Sequence, residues 1–307
     1  MDVQQLRYVL EVARTGSITQ AAKNLYMGQP NLSKSIRELE DEIGIVLFCR
    51  TAQGTRPTKS GEAFLGYARS IVAQMDSLAG MYRPGEVPQT RLHVSVPRAS
   101  YVAASFGAYL GSLAGPLDVS YHETNALAII TEVAHGDADM GVLRYQAAHA
   151  AHFAQLLHEN RLAAAPLWEY AMVVLMHERH PLAGLSEIPY HLLAQYPQIV
   201  HGDFTPVLPP EQDPAPAGPE QLAARSRIAV FDRGSQFDIL QSVRGSYLWV
   251  SPMPFAVLAE RELVQKRCGS ATRYCDVIVH RAGQPLTPVQ QGFADVLAHD
   301  VQQLVQG

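Results

Sequence analysis

Between Gly16 and Gly44 the chain runs Ser17-Ile-Thr-Gln-Ala-Ala-Lys-Asn-Leu25, then Tyr-Met-Gly-Gln-Pro30-Asn-Leu-Ser-Lys-Ser-Ile36-Arg-Glu-Leu-Glu40. This pattern predicts two short helices joined by a tight turn. Ser17 suits an N-cap, with Gln20 three residues on to complete a capping box, and Gly16 suits the left-handed residue that ends an earlier helix. In the second helix Pro30 fits the first turn, where a missing N–H does no harm. Leu32, Ile36, Leu39 and Ile43 recur at steps of four, three and four, so they face a core. The other face holds Gln29, Asn31, Ser33, Lys34 and Arg37, which can donate to base edges or phosphates. By itself that is an amphipathic helix with a solvated polar face; with a partner helix across a tight turn, it is also how a protein presents side chains to the major groove of DNA.

The flanking sequence decides between the two readings. Residues 2–14 place Val3, Leu6, Leu10 and Ala13 on one side of a preceding helix, so three helices can close a small core. After Gly44 the apolar run Ile45 to Phe48 leads into Cys49-Arg50-Thr-Ala-Gln-Gly54-Thr55-Arg56-Pro57, which reads as strand, turn and strand. Such a wing carries Arg50, Arg56 and Lys59 towards the phosphate backbone, where positive charge supplies affinity and little sequence information. Ser17 and Thr19, at the start of the first helix of the pair, complete the predicted DNA-facing set.

With those motifs in place the chain resembles the LysR-type transcriptional regulators. The pattern runs through Leu6-Arg-Tyr8, Val12-Ala13, Gly16-Ser17, Ala21-Ala22, Leu25, Gln29-Pro30, Leu32-Ser33, Ile36, Leu39-Glu40, Gly44, Leu47-Phe48, Arg50, Thr58 and Gly61. It departs at Gly28 and Asn31, where Ser and Ala are commoner. Both lie at the start of the recognition helix and bear on the target sequence, not on the fold.

A chain of 307 residues is long for one core, and 47% hydrophobic content fits a globular protein. Residues 1–59 hold eight Lys and Arg against six Asp and Glu, which leaves 16 against 23 for the rest. The surplus of positive charge therefore sits in the predicted DNA module, and the acidic remainder excludes an indiscriminate nucleic-acid coat. No segment reads as membrane-spanning or as a secretion signal, so a cytoplasmic location and no membrane partner are expected.

Residues 59–83 place Phe64, Tyr67, Ile71, Met75, Leu78 and Tyr82 close to a heptad seam, which needs a partner. The resemblance implies that this linker helix pairs with its copy. It thus implies a homodimer, assembling further to a homotetramer, on double-stranded promoter DNA with an inverted repeat, with RNA polymerase as a further partner. Arg83 to Pro88 then reads as a hinge.

From Leu92 strands and helices alternate, the pattern of an open, mostly parallel sheet. Strands are expected near 91–96, 117–122, 139–143, 170–176, 197–201, 228–231, 246–250 and 274–280. Helices are expected near 100–114, 125–135, 186–194, 235–244, 254–261 and 287–304. The expected fold class is α+β multidomain. It comprises a winged helix-turn-helix at 1–58, a linker helix and hinge at 59–88, and a two-lobed α/β effector domain at 89–307 resembling periplasmic binding proteins. Lobe I takes about 89–165 and 266–307, lobe II about 166–265.

Ligands of such sheets sit at strand carboxyl ends beside helix N-termini. The rule picks out Arg98, Ser100, Tyr101, Thr124, Asn125 and Arg144 in lobe I, and His201, Thr205, Arg233 and Ser235 in lobe II. In the resembling family, positions matching Ser100 and Thr124 hydrogen-bond an effector. Arg98, Arg144 and Arg233 suit a small anionic effector. The stretch Thr205 to Pro219 is too rich in proline for a helix and reads as an extended loop.

Three cysteines, Cys49, Cys268 and Cys275, are too few for a disulfide framework. A redox pair of Cys268 and Cys275 is the weaker reading, because Cys275 alternates with Val277 and Val279 in a buried strand. His177-Glu-Arg-His180 has its histidines three apart, not the four of a zinc protease helix, and His149 with His152 lacks a third ligand. No catalytic constellation, metal site or cofactor fingerprint emerges. The remaining alternative is a small-molecule-binding or enzymatic α/β protein whose N-terminal domain serves assembly only.

Overall fold

The computed structural model describes residues 1–51, 54–81, 89–202, 226–269 and 273–306. Three helices, α1 (Val3–Thr15), α2 (Ile18–Asn24) and α3 (Gln29–Ile43), lead into a two-stranded antiparallel wing, β1 (Phe48–Thr51) and β2 (Gly54–Pro57). Their shared core is Val9, Val12, Ala21, Ala22, Leu32, Ile36, Leu39, Leu47 and Leu65. The apolar stripe read from α3 is therefore the floor of the head, with Ile43 packed at its edge. A full capping box forms at Asp2 and Gln5. At Ser17 only half of the expected box forms: its hydroxyl accepts from Gln20 N at 3.3 Å, while the Gln20 side chain turns to Asn24 instead.

The linker helix α4 (Lys59–Met81) begins against the wing. Thr58 donates to Val46 O at 2.6 Å and accepts from Gly61 N at 2.9 Å. A Cβ at Gly61 would lie 2.1 Å from Leu47 O, so only glycine allows this approach. Along α4, Leu65 packs into the core of the head, Ala68 and Val72 pack with Leu6 of α1, and Phe64 lies against both. Tyr67, Ile71, Met75 and Leu78 stay about half exposed, at 48, 40, 45 and 51%. Tyr82 of the expected seam and the 83–88 hinge lie outside the described residues.

The remainder builds two sheets. The first has the order β4-β3-β5-β13-β6, from β3 (Thr90–Val96), β4 (Leu117–Glu123), β5 (Met140–Gln146), β6 (Leu162–Ala171) and β13 (Arg273–Arg281). Its faces are covered by α5 (Ser100–Ser112) and α11 (Pro288–Gln306) on one side, and by α6 (Ala126–His135) and α7 (Ala150–Glu159) on the other. The second sheet has the order β10-β9-β11-β7-β12-β8. Its strands are β7 (Val173–His177), β8 (Glu187–Ile188), β9 (Gln198–His201), β10 (Arg227–Val230), β11 (Tyr247–Val250) and β12 (Leu263–Cys268). Its helices are α8 (Tyr190–Leu193), α9 (Arg233–Ser242) and α10 (Phe255–Glu260).

Strands β3, β4 and β5 are parallel, while β13 runs antiparallel to both β5 and β6, and β7 antiparallel to β11 and β12. The sheets are thus less purely parallel than expected, because the chain must cross between them twice. It leaves the first sheet at Met172, between β6 and β7, and returns after Cys268. All of β6 belongs to the first sheet and all of β12 to the second, so each crossing falls a few residues later than the boundaries at 165 and 266. The expected helix at 186–194 is corrected to a short strand followed by a single turn, since Pro189 interrupts it.

Candidate nucleic-acid interface and effector cleft

The turn of the helix pair is closed by backbone bonds. Tyr26 N donates to Lys23 O at 3.1 Å and Met27 N to Ala22 O at 3.0 Å, a Schellman pair with Tyr26 at φ 53° in the left-handed position usually given to glycine. Helix α3 then starts from Gly28, whose carbonyl accepts from both Asn31 N and Leu32 N. Pro30, Asn31, Lys34 and Arg37 are exposed on it. Gln29 and Ser33 are half-buried and bonded to each other, Nε2 to Oγ at 2.8 Å.

The outward cations of the helix, Lys34 and Arg37, stop at its ninth residue of fifteen. Its second half carries Glu38, Asp41 and Glu42, and Lys34 leans towards Glu38 at 3.7 Å. An acidic C-terminal end is repelled by phosphate, so the part of the helix that can enter a groove is the stretch up to Arg37. Ser33 and Arg37 share a cleft with Cys49 and Thr55 of the wing, which puts helix and wing on one surface. Ser17 is occupied as the α2 N-cap, Thr19 is exposed on α2, and Arg56 and Lys59 are exposed on β2 and at the start of α4. The side chain of Arg50 lies outside the described residues.

Sequence reading missed what fixes the wing. Glu40 turns inward and its Oε1 accepts from Leu47 N at 2.6 Å and Phe48 N at 3.2 Å. At the wing tip Thr55 N donates to Gly16 O at 2.8 Å, and a Cβ on Gly54 would meet that same carbonyl at 2.7 Å. The wing is thereby held to the α1–α2 turn, and its angle to α3 is set by backbone contact.

The predicted cleft residues divide into three groups. Ser100, at the start of α5, and Arg233, the first residue of α9, meet directly: Arg233 Nη2 donates to Ser100 Oγ at 2.7 Å, while its Nη1 donates to Glu123 at the end of β4. Arg144 and Tyr101 join a second, buried cluster. Arg144 donates to Asp276 from Nε at 2.9 Å and Nη2 at 2.7 Å, and to Arg98 O at 3.3 Å. Asp276 also accepts from the hydroxyls of Tyr101 and Tyr170, and Trp168 Nε1 donates to Tyr101 at 3.1 Å. The remaining residues do local work: Asn125 caps α6, Ser235 donates to the α9 N-cap Asp232, and His201 pairs with Gln236 at 2.6 Å. Thr124 donates its backbone N–H to Val96 O at 2.9 Å, and Thr205 lies outside the described residues.

This corrects one expectation. Arg144 does not wait for an anion, because Asp276 is fully buried and takes two of its donors. Burial alone would lower the Arg144 pKa, but attraction to Asp276 outweighs it and holds the guanidinium ionised well above its usual range. Burial first, and the Asp276 charge second, raise the Tyr101 hydroxyl, so it stays a donor. Glu123 stands in a segment the strand-end rule picks out but was given no partner, and Asp276, Trp168 and Tyr170 went unassigned, since each matters only through partners 67 to 175 positions away.

Comparison with known proteins agrees with this architecture. Residues 3–62 match the family described as bacterial regulatory helix-turn-helix protein, LysR family, and residues 86–226 match the LysR substrate binding domain. A probable cat1 operon transcriptional activator of Acinetobacter lwoffii is 30% identical over 208 residues, 66% of this chain and 64% of its own length. The match thus spans less than two thirds of that relative. Two solved structures share the fold from end to end. Full-length LysG of Corynebacterium glutamicum, with bound effector Arg, has a TM-score of 0.64 at 15% identity, covering 99% of both chains. Full-length CbnR complexed with its target DNA has 0.53 at 20% identity, covering 98% of this chain and 100% of its own.

Proposed function

The chain belongs to the LysR family, and from that premise we propose that it is a sequence-specific DNA-binding transcriptional regulator whose activity is set by a small carboxylate-bearing effector held between the two sheets. The observation that carries the reading is the division of α3. One face holds the core of the head through Leu32, Ile36 and Leu39, and the other presents Asn31, Lys34 and Arg37 to solvent beside a fixed wing. A helix anchored this way can keep its polar face in register with a groove. Ser17, Thr19, Gln29, Pro30, Ser33, Arg56 and Lys59 complete the contact surface, with phosphate contacts from the cations giving affinity and the first turns of α3 giving selectivity.

The half-exposed Tyr67, Ile71, Met75 and Leu78 follow one stripe of α4 and suit a second copy of the same helix. Burying the exposed half of such side chains is worth about 1 kcal/mol each on both copies, set against the entropy lost on association. A homodimer built on it places two α3 helices on one DNA face, and two such dimers make the homotetramer. The effector acts by binding one arrangement of the lobes better than another, which alters the angle between heads. Such a protein works in the cytoplasm, beside the chromosome.

A band shift with promoter DNA tests the reading. Full-length protein is expected to bind at low salt and to weaken steeply as salt rises, and Lys34→Ala with Arg37→Ala together reduce the affinity at least about tenfold. Binding indifferent to both salt and the double substitution contradicts it.

A further inference from the structure

One side chain ties the two sheets together across their cleft. Arg233, reaching from α9, holds Glu123 of β4 and Ser100 of α5 at the same time, and Arg233 and Glu123 are each only 18% exposed. The Phe237 ring lies 5.9 Å from the guanidinium on the α9 side, and the Tyr121 hydroxyl donates to Glu123 at 3.4 Å. The neighbouring pair, Arg144 with Asp276, is closed on itself. At these two pairs each cation already has its anion.

That balance constrains what can enter. A plain carboxylate must take Arg233 from Glu123, leaving two carboxylates against one guanidinium in a half-buried site. A plain amine must take Glu123 from Arg233, leaving the arginine with Ser100 alone. A molecule carrying both charges a few ångströms apart slides between the two and satisfies each. We propose that the effector is a small zwitterion of the amino-acid class, its carboxylate on Arg233 and Ser100 and its ammonium on Glu123. The assignment rests on the effector reading above and replaces a net anion with a net-neutral molecule. It also supplies the coupling: the direct Arg233–Glu123 tie becomes a longer one with a molecule inside it, so the lobes are held at a different separation.

Calorimetric titration of the full-length protein with the common amino acids, and with the deaminated acid and decarboxylated amine of each, tests this. At least one amino acid is expected to bind, with each single-charge analogue weaker by about tenfold or more, the usual worth of a charged hydrogen bond. Glu123→Gln is expected to weaken the amino acid by a similar factor while leaving its deaminated acid unchanged or tighter, and Arg233→Gln to weaken both. A deaminated acid that binds as tightly as its amino acid, or Glu123→Gln that leaves amino-acid affinity unchanged, overturns the zwitterion and leaves the effector reading standing. No binding by any of the three classes overturns both.

Discussion

Replacing Asp276 by asparagine isolates the energetics of the buried cluster between the sheets. The carboxylate is fully buried and Arg144 is 12% exposed, so the substitution strands a guanidinium where water cannot follow. Breaking one partner of such a pair costs about 3–5 kcal/mol. For a folding unit of 150–250 residues this lowers the melting temperature by about 6–20 °C. The new amide keeps one oxygen to accept from Tyr101 and Tyr170, but its NH2 replaces an oxygen that accepted from Arg144, so the guanidinium loses an acceptor as well as its counter-charge. Arg144→Met paired with Asp276→Asn removes both charges, and is expected to recover at least about 2 kcal/mol relative to the sum of the single substitutions. The assay is urea unfolding followed by tryptophan fluorescence, because Trp168 bonds to Tyr101 within the cluster and reports on it directly. A single substitution costing under about 1 kcal/mol, or strictly additive costs in the double variant, refutes the argument that the pair is desolvated and mutually dependent.

Three further outcomes are expected. Tyr26 is 97% exposed and left-handed, so Tyr26→Gly loses no packing and raises the unfolding free energy by about 0.5–1 kcal/mol; an unchanged or lower value contradicts the strain. Gly61→Ala drives a Cβ into Leu47 O and is expected to lower stability by about 2–3 kcal/mol and to weaken DNA binding by displacing the wing, whereas a native-like melt and band shift contradict that contact. Burial pushes the Cys268 thiol up to about 11 and also raises Cys275, so both stay protonated at pH 8 and only exposed Cys49 reacts quickly with Ellman's reagent before denaturant is added. Fast reaction of two or three thiols in the native protein reopens the redox reading.

The head was largely legible because its signals are local. Ser17, Gly28-Gln29-Pro30 and Gly44 punctuate helices whose apolar spacing sits within four residues, and the wing lies within a dozen residues of the helix it serves. Glu40 reads only as part of the motif and gains no role there, because a carboxylate on a polar face looks solvated until the wing folds over it. In the effector region most strand positions followed from short apolar runs, but β6, β8 and β12 did not: Leu263-Val-Gln-Lys-Arg-Cys268, between β7 and β8, mixes charge into the sheet and shows no clean alternation. Helix α7 lies in an alanine- and histidine-rich stretch where Phe153 and Leu157 are the buried side chains. Asp276 was read past because its strand was expected to bury the Cys275, Val277 and Val279 side. A strand between two others buries both faces, and the opposite one holds the carboxylate. The arginines read as binding an effector's carboxylate, whereas the carboxylates that Arg144 and Arg233 hold belong to the chain itself. No local pattern pairs Arg233 with Glu123 or Arg144 with Asp276.

Hydroxyl-radical footprinting of the full-length protein, on DNA selected by it from a random pool, reads out whether α3 is the helix that enters the groove. An inverted repeat is expected, with each half-site protected on the same face and the two separated by whole helical turns. Lys34→Ala with Arg37→Ala is expected to erase that protection. A pool without enrichment, or protection unaffected by the double substitution, contradicts the assignment of α3 as the reading helix.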